Sequence, residues 1–145
     1  MNQVVVKQEK SGYQIVEAYK SLRTNLQFCG EDKKVIAITS CTPNEGKSSV
    51  SMQLGISLAE IGKRVILIDA DLRKSVLLGR TKTEKSVRGL AHFLSGQASL
   101  EDVICATNIK NFYMIYSGPF PPNPAELLGG KNFRSLLNAL RKVYD

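Results

Sequence analysis

Few cysteines, a single histidine and the lack of any long apolar run narrow this chain before a motif is read. Cys29, Cys41 and Cys105 are odd in number, far apart and form no C-x-x-C pair, so neither a disulfide framework nor a zinc site is indicated. His92 sits in Leu90-Ala91-His92-Phe93-Leu94 without a second ligand candidate and reads as structural. No stretch approaches the roughly 18 apolar residues a spanning helix needs, and no signal-peptide core follows Met1, so the chain is expected in the cytoplasm. The formal charge of +7 is not gathered into a long basic run. It fits a solvated surface with a few phosphate-site cations, and no nucleic-acid partner is expected. At 145 residues the chain is the size of one domain.

What is present is organised around Ser40-Cys41-Thr42-Pro43-Asn44-Glu45-Gly46-Lys47-Ser48, which follows the apolar run Val35-Ile36-Ala37-Ile38-Thr39 and opens an amphipathic segment. Phosphate oxygens need donors without steric bulk. A tight loop that ends in a helix N-terminus supplies converging backbone N–H groups and the positive end of a dipole. Gly46 permits close approach, Lys47 can reach the β- and γ-phosphates, and the Ser48 hydroxyl can ligate Mg²⁺. The candidate cradle is therefore Thr42, Pro43, Asn44, Glu45, Gly46, Lys47, Ser48 and Ser49. The pattern G-x-x-x-x-G-K-[ST] is met except at its first glycine, where Cys41 stands. The competing reading is a chance Gly-Lys-Ser in an ordinary turn; the strand pattern before it and the helical period after it favour the phosphate loop.

Taken in order, residues 1–11 are polar apart from Val4-Val5-Val6 and are expected to be a flexible lead-in, with the domain proper over residues 12–145. Ile15, Tyr19, Leu22 and Leu26 predict an amphipathic helix over residues 12–28, with Glu17, Lys20 and Arg23 in a row on a neighbouring face. A first strand, the loop, and a helix carrying Val50, Leu54, Leu58 and Ile61 lead to a second strand, Arg64-Val65-Ile66-Leu67-Ile68. Such a unit predicts a right-handed crossover between parallel strands. The second strand delivers Asp69-Ala70-Asp71-Leu72-Arg73 to the end of the sheet where ligands bind. Two carboxylates one residue apart can hold Mg²⁺ through water, accept a proton and complement phosphate charge. Residues 74–89 read as a basic surface excursion, followed by short helices over residues 89–94 and 100–104, with Ser99 and Asp102 as a capping box. Phe112-Tyr113-Met114-Ile115-Tyr116 is a third strand with its tyrosines in the core. A proline-stiffened loop over residues 117–124, a helix opened by Pro124, and a last helix carrying Phe133, Leu136, Leu137 and Leu140 complete the sequence. The expected fold class is α/β: a P-loop NTPase-like parallel sheet with helices on both faces, incomplete as it stands.

Together, the phosphate loop, Ile66-Leu67-Ile68-Asp69-Ala70-Asp71-Leu72-Arg73 and Pro121-Pro122-Asn123-Pro124-Ala125-Glu126-Leu127-Leu128 resemble the bacterial protein-tyrosine kinase (BY-kinase) family of capsule and exopolysaccharide synthesis. The segment Glu17-Ala18-Tyr19-Lys20-Ser21-Leu22-Arg23 resembles that family's E-x-x-R-x-x-R oligomerisation motif, with Lys20 at the middle arginine. The resemblance implies a Mg·ATP-dependent autokinase that phosphorylates tyrosines on neighbouring subunits of a homo-oligomeric ring. It further implies activation by a membrane-embedded polysaccharide co-polymerase adaptor, protein tyrosine substrates, and a place at the inner face of the membrane held through that partner. Carried over by position, Lys47 binds phosphates, Ser48 and Asp71 serve the metal, and Asp69 orients or deprotonates the attacking hydroxyl. Arg73 belongs to the same motif, and Glu17, Lys20 and Arg23 lie at the subunit interface.

Family members continue after a segment like Lys142-Val143-Tyr144-Asp145 into an apolar strand ending in Asp-x-Pro (Walker B) and a tyrosine-rich tail, so this chain is expected to be the N-terminal portion of such a kinase domain. That strand would lie beside the phosphate-loop strand. Without it, weak nucleotide binding, poor transfer and aggregation are expected. Two other readings compete. A partitioning-type ATPase of the same fold would carry a second lysine near the start of the loop, where Ser40, Cys41 and Thr42 stand. A catalytically weak subunit could instead join or cap the ring as an interaction module.

Overall fold

The computed structural model describes residues 1–8, 10–83 and 86–145. Glu9, inside the expected lead-in, and Glu84 and Lys85, inside the expected excursion, lie outside the described residues. Five strands form one sheet in the order β2-β5-β4-β1-β3. They are β1 (Asn2–Val6), β2 (Val65–Ile68), β3 (Thr81–Thr83), β4 (Cys105–Thr107) and β5 (Phe112–Ile115). β2 runs parallel to β5 and β1 parallel to β4, whereas β4–β5 and β1–β3 are antiparallel. The sheet is thus mixed where an all-parallel one was expected. The reason is local: residues 108–111 are too few for a crossover, so β4 and β5 can only fold back on each other.

Side chains alternate across β5 and divide the core. Phe112, Met114 and Tyr116 point to one face, where α2 (Lys47–Glu60) covers them with Met52, Ile56 and Ala59. Ile115 and Tyr113 belong to the other face, covered by α3 (Leu90–Leu94), α4 (Leu100–Val103), α5 (Pro124–Gly129) and α6 (Lys131–Leu140) through Leu90, Leu94, Val103, Leu136 and Leu140. Helices on both faces are as the sequence predicts; of the stripe expected on α2, Leu54 is buried, Val50 and Leu58 are half-buried and Ile61 is exposed, while Met52, Ile56 and Ala59 face the core with Phe112 and Met114. The Ser99–Asp102 capping box is present, with Ser99 N donating to Asp102 Oδ2 at 2.8 Å. Pro124 stands at the start of α5.

Three expectations are corrected. Residues 2–6 are not a loose lead-in: they form β1, an interior strand, and Val4 and Val6 are each 2% exposed. β-Branched residues alternating across a pleat bury one face whatever the polarity of their flanks. Nor are residues 74–89 merely a surface excursion. Leu77 is buried, Leu78–Arg80 makes a 3-10 turn, and β3 pairs with β1. Finally, Val35-Ile36-Ala37-Ile38-Thr39 forms no strand, so the expected crossover from it through α2 to a parallel β2 is not formed; Val35 is 43% and Ile36 46% exposed. A strand needs a ladder, and the sheet ends at β2 with no described strand alongside this run.

Arg64, just before β2, pairs with Asp145, and Lys34, just before that run, reaches the same segment. Asp145 N donates to Arg64 O and Arg64 N to Asp145 Oδ2, both at 2.8 Å. Lys34 Nζ donates to Arg141 O at 3.2 Å. The Arg64 guanidinium also lies over the rings of Tyr113 and Tyr144, 5.4 and 5.1 Å from their centroids.

On the far face, α3 starts against the end of β5. Leu90 N donates to Tyr116 O at 2.6 Å and Ala91 N to Ser117 O at 2.9 Å. This approach is possible because residue 89 is glycine: a Cβ there would fall 2.3 Å from Gly118 N. His92 is structural, as expected, its Nδ1 accepting the Gly89 N–H at 3.0 Å. Beyond it the proline-rich loop and α3 line an open pocket of about 300 Å³.

Candidate functional site

The phosphate loop folds as residue types dictate. Residues 41–46 make successive turns in the open, Ser40 Oγ donates to Thr42 O at 3.1 Å, and Thr42 Oγ1 donates to Glu45 Oε1 at 2.6 Å. That hydroxyl holds the Glu45 carboxyl below its ordinary range. Gly46 closes the loop with φ at +83°, a left-handed conformation that favours glycine. Lys47 then opens α2, and Val50 N donates to Gly46 O at 2.9 Å. Lys47, Ser48 and Ser49 therefore occupy the first helical turn, where backbone N–H groups lack helical partners and the dipole is positive.

Beyond α2, β2 sets Asp69 one residue past its end, where Asp69 N donates to Ile115 O at 2.9 Å. Asp69 is 6% exposed; its Oδ1 accepts the Asp71 N–H at 3.1 Å and its Oδ2 accepts the Ser75 hydroxyl. Burial raises its affinity for a proton, and the nearby Asp71 charge adds to this, against the opposing pull of Ser75, the Asp71 N–H and Lys47. Asp71 is poised the other way. Partial burial disfavours its charge, but the N–H groups of Lys74 and Arg73, at 3.0 and 3.3 Å, and the Lys47 ammonium outweigh it and keep the carboxyl below its usual range. Lys47 Nζ lies 3.7 Å from Asp71 Oδ2.

The two motifs, a helix and a strand apart in sequence, thus meet in one cluster of Lys47, Asp69 and Asp71, with Ser48 beside Lys47. Arg73 contributes its backbone N–H while its side chain is exposed. Hard oxygen donors suit a cation that keeps much of its water, and the candidates for that role here are the Ser48 hydroxyl and the Asp71 carboxylate. No cluster of three acidic, histidine or cysteine ligands occurs among the described residues.

Glu17, Lys20 and Arg23 stand apart from this cluster on α1 (Tyr13–Phe28). Lys20 and Glu17 pair at 3.2 Å in solvent. Arg23 turns inward instead: its Nη1 donates to Ser57 O at 2.8 Å and to Ser57 Oγ at 3.1 Å, and its side chain is only 15% exposed. Residue reasoning missed two neighbours of the cluster, Ser75 on Asp69 and Arg80, whose Nη1 donates to Ser49 Oγ at 2.6 Å. Both lie in a segment without hydrophobic period, and only the proximity of Ser75 to Asp71 in sequence hinted at a role.

A family model described as an AAA domain matches residues 33–145. The tyrosine-protein kinase CpsD of Streptococcus agalactiae is 43% identical over 129 residues, 89% of this chain and 56% of that protein. YwqD of Bacillus subtilis, also named a tyrosine-protein kinase, is 41% identical over 131 residues, 89% of this chain and 55% of that protein. The kinase domain of the Escherichia coli tyrosine kinase ETK superposes with a TM-score of 0.83 at 36% identity, covering 90% of this chain and 51% of that one. The BceF tyrosine kinase domain gives 0.79 at 41% identity. The chain spans about half the length of the curated relatives it matches. With its phosphate loop and Asp-x-Asp motif in one cluster, on the fold those proteins share, this chain belongs to the BY-kinase family.

Proposed function

We propose that the chain carries the nucleotide- and metal-handling part of a Mg·ATP-dependent protein-tyrosine (auto)kinase that serves capsular or exopolysaccharide synthesis and export. The observation that supports it most is the 3.7 Å approach of Lys47 to Asp71 beside a buried Asp69. In this reading residues 42–49 cradle the phosphates, and Lys47 exchanges Asp71 for the β- and γ-phosphate oxygens. Ser48 and Asp71 hold Mg²⁺, which neutralises charge on the phosphates when bound. Asp69 accepts the proton of a tyrosine hydroxyl as its oxygen forms a bond to the γ-phosphorus and the bond to the β-phosphate oxygen breaks, releasing ADP. Burial suits Asp69 to this, since a carboxylate with raised proton affinity is the better base. Arg73 complements phosphate charge from the rim.

The same reading makes α1 the contact between subunits of a ring, through Glu17 and Lys20, with Arg23 setting the helix on its own chain. Support comes from α1 itself, which buries no residue and leaves Ile15 52% and Phe28 85% exposed. A membrane-embedded co-polymerase adaptor would hold the protein at the inner face of the membrane; no helix among the described residues is long and apolar enough to cross one.

Thermal unfolding under Mg·ADP and Mg·ATP titration tests the core of this reading, with Lys47→Met as control. Ligand at 100 times its Kd should add about 2.7 kcal/mol to the wild type and nothing to the variant. If both unfold cooperatively and neither responds, the nucleotide reading fails. The exposed, unpaired Val35 and Ile36 then favour the second reading, an interaction module that joins a kinase ring without turning over.

A further inference from the structure

Arg80 belongs to neither nucleotide motif, yet the fold carries it to the phosphate loop. It ends the 3-10 turn Leu78–Arg80 and is followed directly by β3. Residues on both sides fix its backbone. Leu77 is 4% exposed in the core with Met52 and Ile56, while Thr81 is 7% exposed and its Oγ1 shares a hydrogen bond of 2.6 Å with the Tyr116 hydroxyl. From that anchored position the exposed Arg80 side chain reaches Ser49 Oγ at 2.6 Å, within the first turn of α2.

The chemistry of this contact is lopsided. A guanidinium has five N–H donors in a planar fork suited to phosphate, and Ser49 offers it one neutral hydroxyl. The other cation of the loop, Lys47, already faces the Asp71 carboxylate. Arg80 therefore brings positive charge, with donors to spare, to the place where the helix dipole and the loop already favour an anion.

We propose that Arg80 is a nucleotide-binding residue: its guanidinium contacts the phosphates of a nucleoside di- or triphosphate beside Lys47, delivered by the segment between Ser75 and β3. The inference rests on the nucleotide reading above and adds a ligand contact from outside both motifs.

Calorimetric titration of Mg·ADP into the wild type, Arg80→Gln, Arg80→Lys and Lys47→Met tests it. Losing one charge-assisted contact should raise the Kd of Arg80→Gln about ten-fold. Arg80→Lys should lie between the two, because charge survives while the fork does not. The ligand-free unfolding midpoint should not move, since the side chain is exposed, and Kd should depend less steeply on salt in Arg80→Gln than in the wild type. A Kd for Arg80→Gln within two-fold of the wild type, with the same salt dependence, overturns the proposal while leaving the phosphate loop standing, provided Lys47→Met abolishes binding. A wild type that folds but does not bind Mg·ADP removes the nucleotide reading and this inference with it.

Discussion

Truncating Val4 and Val6 to alanine, with Val5→Ala as control, asks whether the first strand carries the sheet. Val4 and Val6 are each 2% exposed and belong to the core with Met52, Ile56, Leu77, Cys105, Phe112 and Met114, whereas Val5 is 50% exposed. Each Val→Ala change deletes two buried carbons, about 1.6 kcal/mol of transfer free energy at about 0.8 per carbon. The space left behind raises this to about 2–3 kcal/mol per site. The two sites share neighbours, so the double variant should lose somewhat less than the sum, about 4–5 kcal/mol. In urea unfolding followed by far-UV circular dichroism, at a slope of about 2 kcal/mol/M, each single change lowers the midpoint by about 1 M. Val5→Ala should stay within about 0.25 M, because exposed substitutions rarely exceed about 0.5 kcal/mol. Three equal, negligible shifts would refute the assignment of β1 to the core, as would a deletion of residues 1–8 that leaves the midpoint in place.

Asp69→Asn should lower phosphorylation of an added tyrosine substrate by about 10²–10⁴-fold, and a smaller loss removes it from the role of base. In the wild type the acid limb of the rate profile should lie at higher pH than an ordinary aspartate would give, because burial raises this group's proton affinity. The same shift has a sign in stability: the folded state keeps the proton to higher pH, so the contribution of Asp69 is greatest below its unfolded pKa and declines as pH rises through the folded one. Asp69→Asn should accordingly raise the urea midpoint at pH 7 relative to the wild type and converge with it near pH 3; a uniform shift at both would sink that account. Arg23→Ala should cost the isolated chain about 1–2 kcal/mol through the lost bonds to Ser57, and unchanged monomer stability would mean the residue serves only contacts between subunits. Gly89→Ala should cost about 3 kcal/mol or more, since the added carbon meets the Gly118 backbone, and a variant of wild-type midpoint would contradict the close approach of α3 to β5.

The arrangement of the candidate site was legible where it depends on short-range patterns. Gly46-Lys47-Ser48 before a helical period marks a loop that turns into a helix, and an Asp-x-Asp follows at the end of the next apolar run, although the strand expected before the loop does not form. Their meeting, at Lys47 and Asp71, was therefore implied by sequence. What stayed hidden depends on pairing over long range. Val4 and Val6 look like isolated apolar residues until β3 and β4 arrive on either side. Val35 and Ile36 look like a buried strand because periodicity records what a segment can pair with, while the ladder requires a neighbour that the described residues do not supply. Arg80 escaped because a single arginine in a basic stretch carries no pattern; only the burial of Leu77 and Thr81 around it fixes where it goes.

The interior position of β1 also sets a clock for synthesis. Its parallel partner pairs Asn2 with Cys105, so about 100 residues separate the two halves of that ladder. At about 5–20 residues per second, Val4-Val5-Val6 waits roughly 5–20 s on the ribosome for β4 to be made. Its antiparallel partner β3 is made first, so the strand gains one neighbour before the other, and Lys7 and Lys10 place charge just after it, as gatekeeper residues do. The sheet then closes late and through a long loop, a topology that folds slowly, so the yield of folded chain should respond to translation speed and chaperone supply more than its size suggests.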